Sequence, residues 1–62
     1  MEKFRAKFKQ RYANLPEGAR TEIIAVVNNE PYTWRSARIE IDGNTAVGNK
    51  ILKFLFDAKI IQ

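Results

Sequence analysis

The chain has 62 residues, a net charge of +4, and neither cysteine nor histidine. That composition excludes disulfide staples and thiolate metal centres, and it removes the commonest general base and zinc ligand. A domain this short buries only about 60% of the surface its unfolded chain exposes, which leaves little room for a water-excluding pocket. No enzyme activity, metal, cofactor or small-molecule substrate is therefore expected.

The basic N-terminal stretch lacks the apolar core of a secretory signal, and no apolar run reaches the length of a membrane span. A cytoplasmic protein is the expectation. The charge is uneven: residues 1–16 carry a local +4, residues 17–42 a local −2, and residues 43–62 a local +2. An electrostatic footprint for an acidic partner would join the two ends of the chain.

Phe4, Phe8, Tyr12 and Leu15 recur at helical spacing and predict a first helix of about three turns. Its other sides carry Lys3, Arg5, Lys7, Lys9 and Arg11. Pro16 suits the first turn of a second helix and Glu17 its positive end. Ala19, Ile23, Val26 and Val27 would share one face, and Asn28-Asn29 would stop it. Arg20 reads there as a solvated residue among Glu17 and Glu22. Pro31-Tyr32-Thr33 is short and extended, because proline disfavours helix in the residue before it. Thr33 predicts the N-cap of a short third helix with Trp34, Ala37 and Ile41 at i, i+3 and i+7. Trp34 reads as a core anchor.

Asp42-Gly43 is a turn pair, with Gly43 free to adopt positive φ. Asn44 or Thr45 caps a last helix running to about Ala58, and Lys59-Ile60-Ile61 reads as the start of a strand. On a helical wheel Val47, Ile51, Phe54, Leu55 and Ala58 cluster within roughly a third of a turn, with Leu52 widening the arc and Phe56 beyond it. This face is expected to meet Phe8, Ile23, Val27 and Trp34. Opposite lies a narrow stripe of Ala46, Asn49, Lys50, Lys53 and Asp57. Gly48 falls on the buried side. Glycine inside a helix costs about 1 kcal/mol against alanine, so it marks close approach of another helix.

The stretch "PYTWRSARIEIDGNTAVGNKILKFLFDAKII" resembles a winged helix-turn-helix DNA-binding domain of the small prokaryotic or archaeal type. Thr33-Trp34 looks like the capped start of the first helix of the pair. "TAVGNKILKFLFDAKII" looks like the recognition helix running into the first wing strand. The resemblance implies residues 1–62 as one mainly α domain, a helix-turn-helix or winged-helix-like bundle of about four helices with at most a minimal β-strand pair. The chain stops where the second wing strand would begin, so the wing is expected to be truncated or absent.

The resemblance further implies duplex DNA binding in transcriptional regulation, with the last helix in the major groove. Thr45, Ala46, Asn49, Lys50 and Lys53 would then face the bases, since asparagine pairs with adenine and lysine reaches guanine or phosphate. Arg35 and Arg38 would make positioning contacts to phosphates; the charge of the first helix, independently of the resemblance, suits Lys7 and Lys9 to further phosphate contacts. Each residue also has a plainer role. The stripe serves equally as the solvated side of a core helix. Arg35 and Arg38 could pair with Glu40 or Asp42. The first helix could be a solvated basic face, or one lying on an anionic membrane, although its aromatics are needed for the core. The alternative function is a protein–protein interaction module, or a homodimer, without DNA binding. Exposed Phe56 or Tyr32 would favour that alternative. A continuous positive surface from the first helix to Lys50 and Lys53 would favour DNA.

Overall fold

Two asparagines in succession decide the middle of the chain. Asn28 and Asn29 adopt φ values of 55° and 64°, and two positive-φ residues in a two-residue loop are what a tight hairpin turn requires. Ile23-Ile24-Ala25-Val26-Val27 in front of them is mostly β-branched, and such residues fit a pleated surface better than a helix. The expected second helix is therefore not formed. Its first part is a 3-10 helix, Glu17–Thr21, and the rest is a strand.

The structure, a computed structural model, describes residues 2–61. Its order is α1 (Glu2–Ala13), the 3-10 helix, β1 (Ile23–Val27), β2 (Glu30–Thr33), α2 (Trp34–Asp42) and α3 (Ala46–Asp57). In place of a mainly α bundle of about four helices, the described residues form three α-helices and a two-stranded antiparallel sheet. The hairpin stands between α1 and α2, not after the last helix where a wing would lie. Its register pairs Val27 with Glu30, Val26 with Pro31 and Ala25 with Tyr32, then skips Ile24 to pair Ile23 with Thr33. Pro31 is tolerated because a two-stranded sheet consists only of edge strands.

β2 passes into α2 without a loop. The Thr33 hydroxyl oxygen accepts from the Ser36 backbone N–H at 3.1 Å, and the Thr33 N–H donates to the Ser36 hydroxyl at 2.8 Å. This reciprocal capping box satisfies two backbone donors that the first turn leaves unpaired. Trp34, Ala37 and Ile41 are buried, as their spacing predicts.

The turn between α2 and α3 departs from expectation in its detail. Gly43 stays right-handed at φ −76°, and Asn44 takes the left-handed position at φ 55°. The Asn44 N–H donates to the Ile41 carbonyl and the Thr45 N–H to the Glu40 carbonyl, the paired bonds of a Schellman helix ending. The same device closes α3. Lys59 is left-handed at φ 61°, its N–H donates to the Phe56 carbonyl, and the Ile60 N–H donates to the Leu55 carbonyl. Lys59-Ile60-Ile61 is thus a helix-terminating turn and not the start of a strand. It folds Ile61 back into the core, where the residue is buried.

The face that α3 buries is rotated from the expected one. Gly48, Ile51, Leu52 and Leu55 are buried and Val47 partly so, whereas Phe54 remains 41% exposed and Ala58 exposed. Phe56 is half-buried, its ring stacked on Phe4 with centroids 4.2 Å apart. Gly48 explains the rotation, because a Cβ there would stand 2.5 Å from the Glu40 carbonyl oxygen and 3.0 Å from the Ile41 Cα. The helix turns its bare position, and the residues flanking it, toward the backbone of α2. Ile23, expected against α3, is 64% exposed, because the skipped Ile24 changes the alternation and leaves Ala25 and Val27 facing inward. α1 closes the core from the other side with Phe8 and Tyr12 buried and the Phe8 ring 5.5 Å from Trp34.

Gly48→Ala should lower stability by about 1–3 kcal/mol through overpacking against backbone, reversing the gain that alanine normally brings to a helix interior. Gly18→Ala, with open space around its added Cβ, should stay within about 0.5 kcal/mol of the parent. Urea unfolding of both variants checks the pair. The rotated face predicts that Leu52→Ala or Leu55→Ala lowers stability by about 2–5 kcal/mol, with Phe54→Ala well below either in the same assay.

Candidate nucleic-acid interface

α1 buries one side and turns its cations outward. Lys3, Lys7, Lys9 and Arg11 are exposed, and none of them joins an ion pair among the described residues. Arg5 differs from its neighbours. Its guanidinium donates to Glu2 at 2.6 Å and to the Asn44 side-chain oxygen at 2.7 Å, pinning α1 to the turn between α2 and α3. Asn44 itself takes the left-handed conformation, which asparagine tolerates better than most residues.

A half-open cleft of about 550 Å³ lies along one side of α1, with Lys9, Tyr12, Arg20, Arg38 and Asp42 in its wall and Phe8 beneath. The Tyr12 ring organises it. The Arg20 guanidinium lies over that ring at 4.6 Å from the centroid and the Arg38 guanidinium at 4.8 Å, both within cation–π range. Arg38 Nε also donates to the Asp42 carboxylate at 3.2 Å. The Tyr12 side chain first, and then Asp42, hold the Arg38 guanidinium above its ordinary pKa, outweighing desolvation. Arg20 joins no ion pair among the described residues, and its Nε is shut off from solvent without an acceptor. A smaller cleft of about 260 Å³ is lined by Lys7, Gln10 and Arg11 of α1 and by Asn14 just beyond it, against Ile60 and Ile61. Cations of α1 thus line both clefts.

The sequence-derived site residues are distributed unevenly around this surface. Lys9 and Arg38 come together in the large cleft, and Lys7 lines the small one. Arg35 is exposed and outside both. On α3, Ala46 and Lys50 are exposed, and Lys53 is exposed but pairs with Asp57 at 3.4 Å. Lys50 and Lys53 line neither cleft. Asn49 is half-buried, with its side-chain oxygen enclosed and without a donor among the described residues.

Thr45 is committed to the fold. Its hydroxyl oxygen accepts from the Gly48 N–H at 2.9 Å, and the hydroxyl reaches the Glu40 carboxylate at 2.8 Å. Tyr32 is half-buried, and desolvation first, then the charges of Glu30 and Glu40, raise its phenol above the ordinary value.

Three residues of this surface escape sequence reasoning: Arg5, Tyr12 as a stacking platform, and Arg20. Arg5 meets Asn44 across 39 positions, a separation that no local periodicity reports. Arg20 looks solvated only if residues 17–27 form one helix. The 3-10 helix instead brings it back onto Tyr12.

Among the described residues no group of carboxylates is placed to hold a metal ion, and no helix is long and apolar enough to cross a membrane. No protein-family model, curated protein or solved structure matches the chain.

The placement of Thr45 leads to a measurable distinction. Thr45→Ala should lower stability by about 0.5–2 kcal/mol through loss of the N-cap bond, and Thr45→Ser should recover most of it in thermal unfolding. Equal stability of all three proteins would return Thr45 to the list of groups free to meet a ligand.

Proposed function

We propose that the protein binds nucleic acid through the phosphate backbone, with duplex DNA as its target and α1 as the principal contact. The observation that carries this reading is the set of four exposed cations distributed around α1, none paired with a carboxylate among the described residues. Lysines and arginines free of protein partners are what phosphate neutralisation uses, and the released counterions drive association. The clefts on either side of α1 extend this surface with Arg20 and Arg38 in one direction and Gln10 and Asn14 in the other. Lys50 on α3 adds a further exposed cation that joins no ion pair among the described residues.

Backbone contact dominates this interface. Thr45 is occupied by its cap, Lys53 by Asp57, and the Asn49 oxygen is enclosed. Base reading falls to few groups, so affinity should depend weakly on sequence. A role in transcriptional regulation would require selectivity beyond this electrostatic contact.

A second reading, a protein-interaction module or homodimer, is favoured by one observation. Phe56, the side chain whose exposure would have signalled it, is half-buried on Phe4. Val26, Ile39 and Phe54 are exposed in its stead, along with Ile23. Concentration-dependent sedimentation tests self-association directly.

Fluorescence anisotropy of labelled duplex DNA at several salt concentrations tests the first reading. Engagement of about three to five phosphates gives a log–log salt slope of roughly −3 to −4.5. Reversing Lys7 and Lys9 to glutamate should flatten the slope and weaken all sequences alike. A folded protein that binds no duplex at low salt would refute the proposal.

A further inference from the structure

The large cleft beside α1 differs from an ordinary basic surface. Exposed lysines sample many rotamers, and ordering them on a ligand costs entropy. Arg20 and Arg38 are already held, because each guanidinium lies on the same Tyr12 ring, which is itself buried. Arginine presents a planar fork of donors suited to bidentate contact with phosphate oxygens, and the ring beneath each fork restricts its motion before a ligand arrives.

The charges at the cleft leave a net surplus. Its wall holds three cations, Lys9, Arg20 and Arg38, against the single carboxylate of Asp42. That carboxylate already faces Arg38 Nε, so the surplus resides on Lys9 and Arg20. The Arg20 Nε–H has no acceptor among the described residues and is shut off from solvent, and a buried donor left unmade is costly. The volume falls in the range of small-ligand sites, and the wall carries about as much charge as a phosphate dianion would neutralise. A phosphodiester in a nucleic-acid backbone bears one negative charge, whereas a phosphate monoester carries about −1.5 to −2 near neutral pH.

We infer that this cleft is a binding site for a phosphate monoester, held by Arg20 and Arg38 over the Tyr12 ring with Lys9 as the third cation. The inference deepens the nucleic-acid reading by giving one part of that surface a distinct ligand chemistry, but binding of a free monoester does not depend on duplex binding. Two sources share the chemistry: a free nucleotide, and the 5′-phosphate at the end of a nucleic acid.

The test is a titration of the nitrogen-15-labelled protein with a nucleoside 5′-monophosphate, following the side-chain Nε–Hε resonances of Arg20 and Arg38 beside the backbone amides. Saturating shifts concentrated on Arg20, Arg38 and the α1 amides around Lys9 are expected. The cyclic phosphodiester of the same nucleoside should bind more weakly. Arg20→Gln, at a partly exposed position, should keep the melting temperature near that of the parent. Its affinity for the monoester should fall by roughly tenfold or more, the usual scale for losing hydrogen bonds to a charged group. Arg20→Lys keeps the charge without the fork and should recover only part of that loss.

Duplexes ending in 5′-phosphate or 5′-hydroxyl then identify the source. A gain from the phosphate that disappears in Arg20→Gln assigns the site to nucleic-acid ends. Nucleotide binding without such a gain assigns it to a free phosphate ester. Unsaturated shifts spread equally over Lys3, Lys7 and Lys50 would overturn the inference, as would indifference of the affinity to Arg20→Gln. Duplex binding could survive that result, leaving the backbone reading intact. Nucleotide binding without duplex binding would refute the backbone reading and leave the monoester site standing.

Discussion

The close approach of α3 to the last turn of α2 is the contact on which the rest of this fold depends. Gly48 lies so near the Glu40 carbonyl that no larger residue fits without backbone movement. Thr45 acts on both sides of that contact, bonding to Glu40 at the end of α2 and capping the start of α3. A turn only three residues long, 43–45, separates the helices. It leaves little freedom to relax, so the crossing is set by sterics together with capping. Once it is set, Ile51, Leu52 and Leu55 have one direction in which to point. Phe54 is left outside by the same rotation.

α1 is then fitted to this pair by aromatic contacts and one long-range hydrogen bond. Phe4 stacks on Phe56, Phe8 meets Trp34, and Arg5 reaches Asn44. These contacts determine which side of α1 faces solvent, and they leave Lys3, Lys7, Lys9 and Arg11 on it. The functional surface is therefore a by-product of core packing in the physical sense. The aromatic stripe must be buried in so small a domain, and the cations between its members have nowhere else to go.

Tyr12 joins the two roles. Its ring is buried, so it belongs to the core, yet guanidiniums from the 3-10 helix and from α2 lie against it. Like charges brought to one place repel, and the π-face of the ring and the Asp42 carboxylate offset that repulsion. Such an arrangement holds positive charge close to the protein without neutralising all of it. Surface ion pairs such as Lys53 with Asp57 contribute little to stability and use up charge that a ligand would otherwise meet.

The sequence by itself determined the local features of this protein. The aromatic spacing of α1, the Thr33 cap, the apolar register of α2 and the reason for Gly48 all follow from interactions within a few residues or from helical geometry. It determined as well which segment is most basic, because charge is a property of composition. Residues 23–27 were ambiguous, since Ala19, Ile23, Val26 and Val27 fit a helical face while the β-branched run fits a strand. The left-handed Asn28-Asn29 turn decided for the strand, and with it against the four-helix order. Only the tertiary structure decided the rotation of α3, the use of Ile61 as a core plug, and the meeting of Arg20, Tyr12 and Arg38. Each of these depends on contacts between segments far apart in the chain or on a backbone reversal, and neither leaves a period in the sequence.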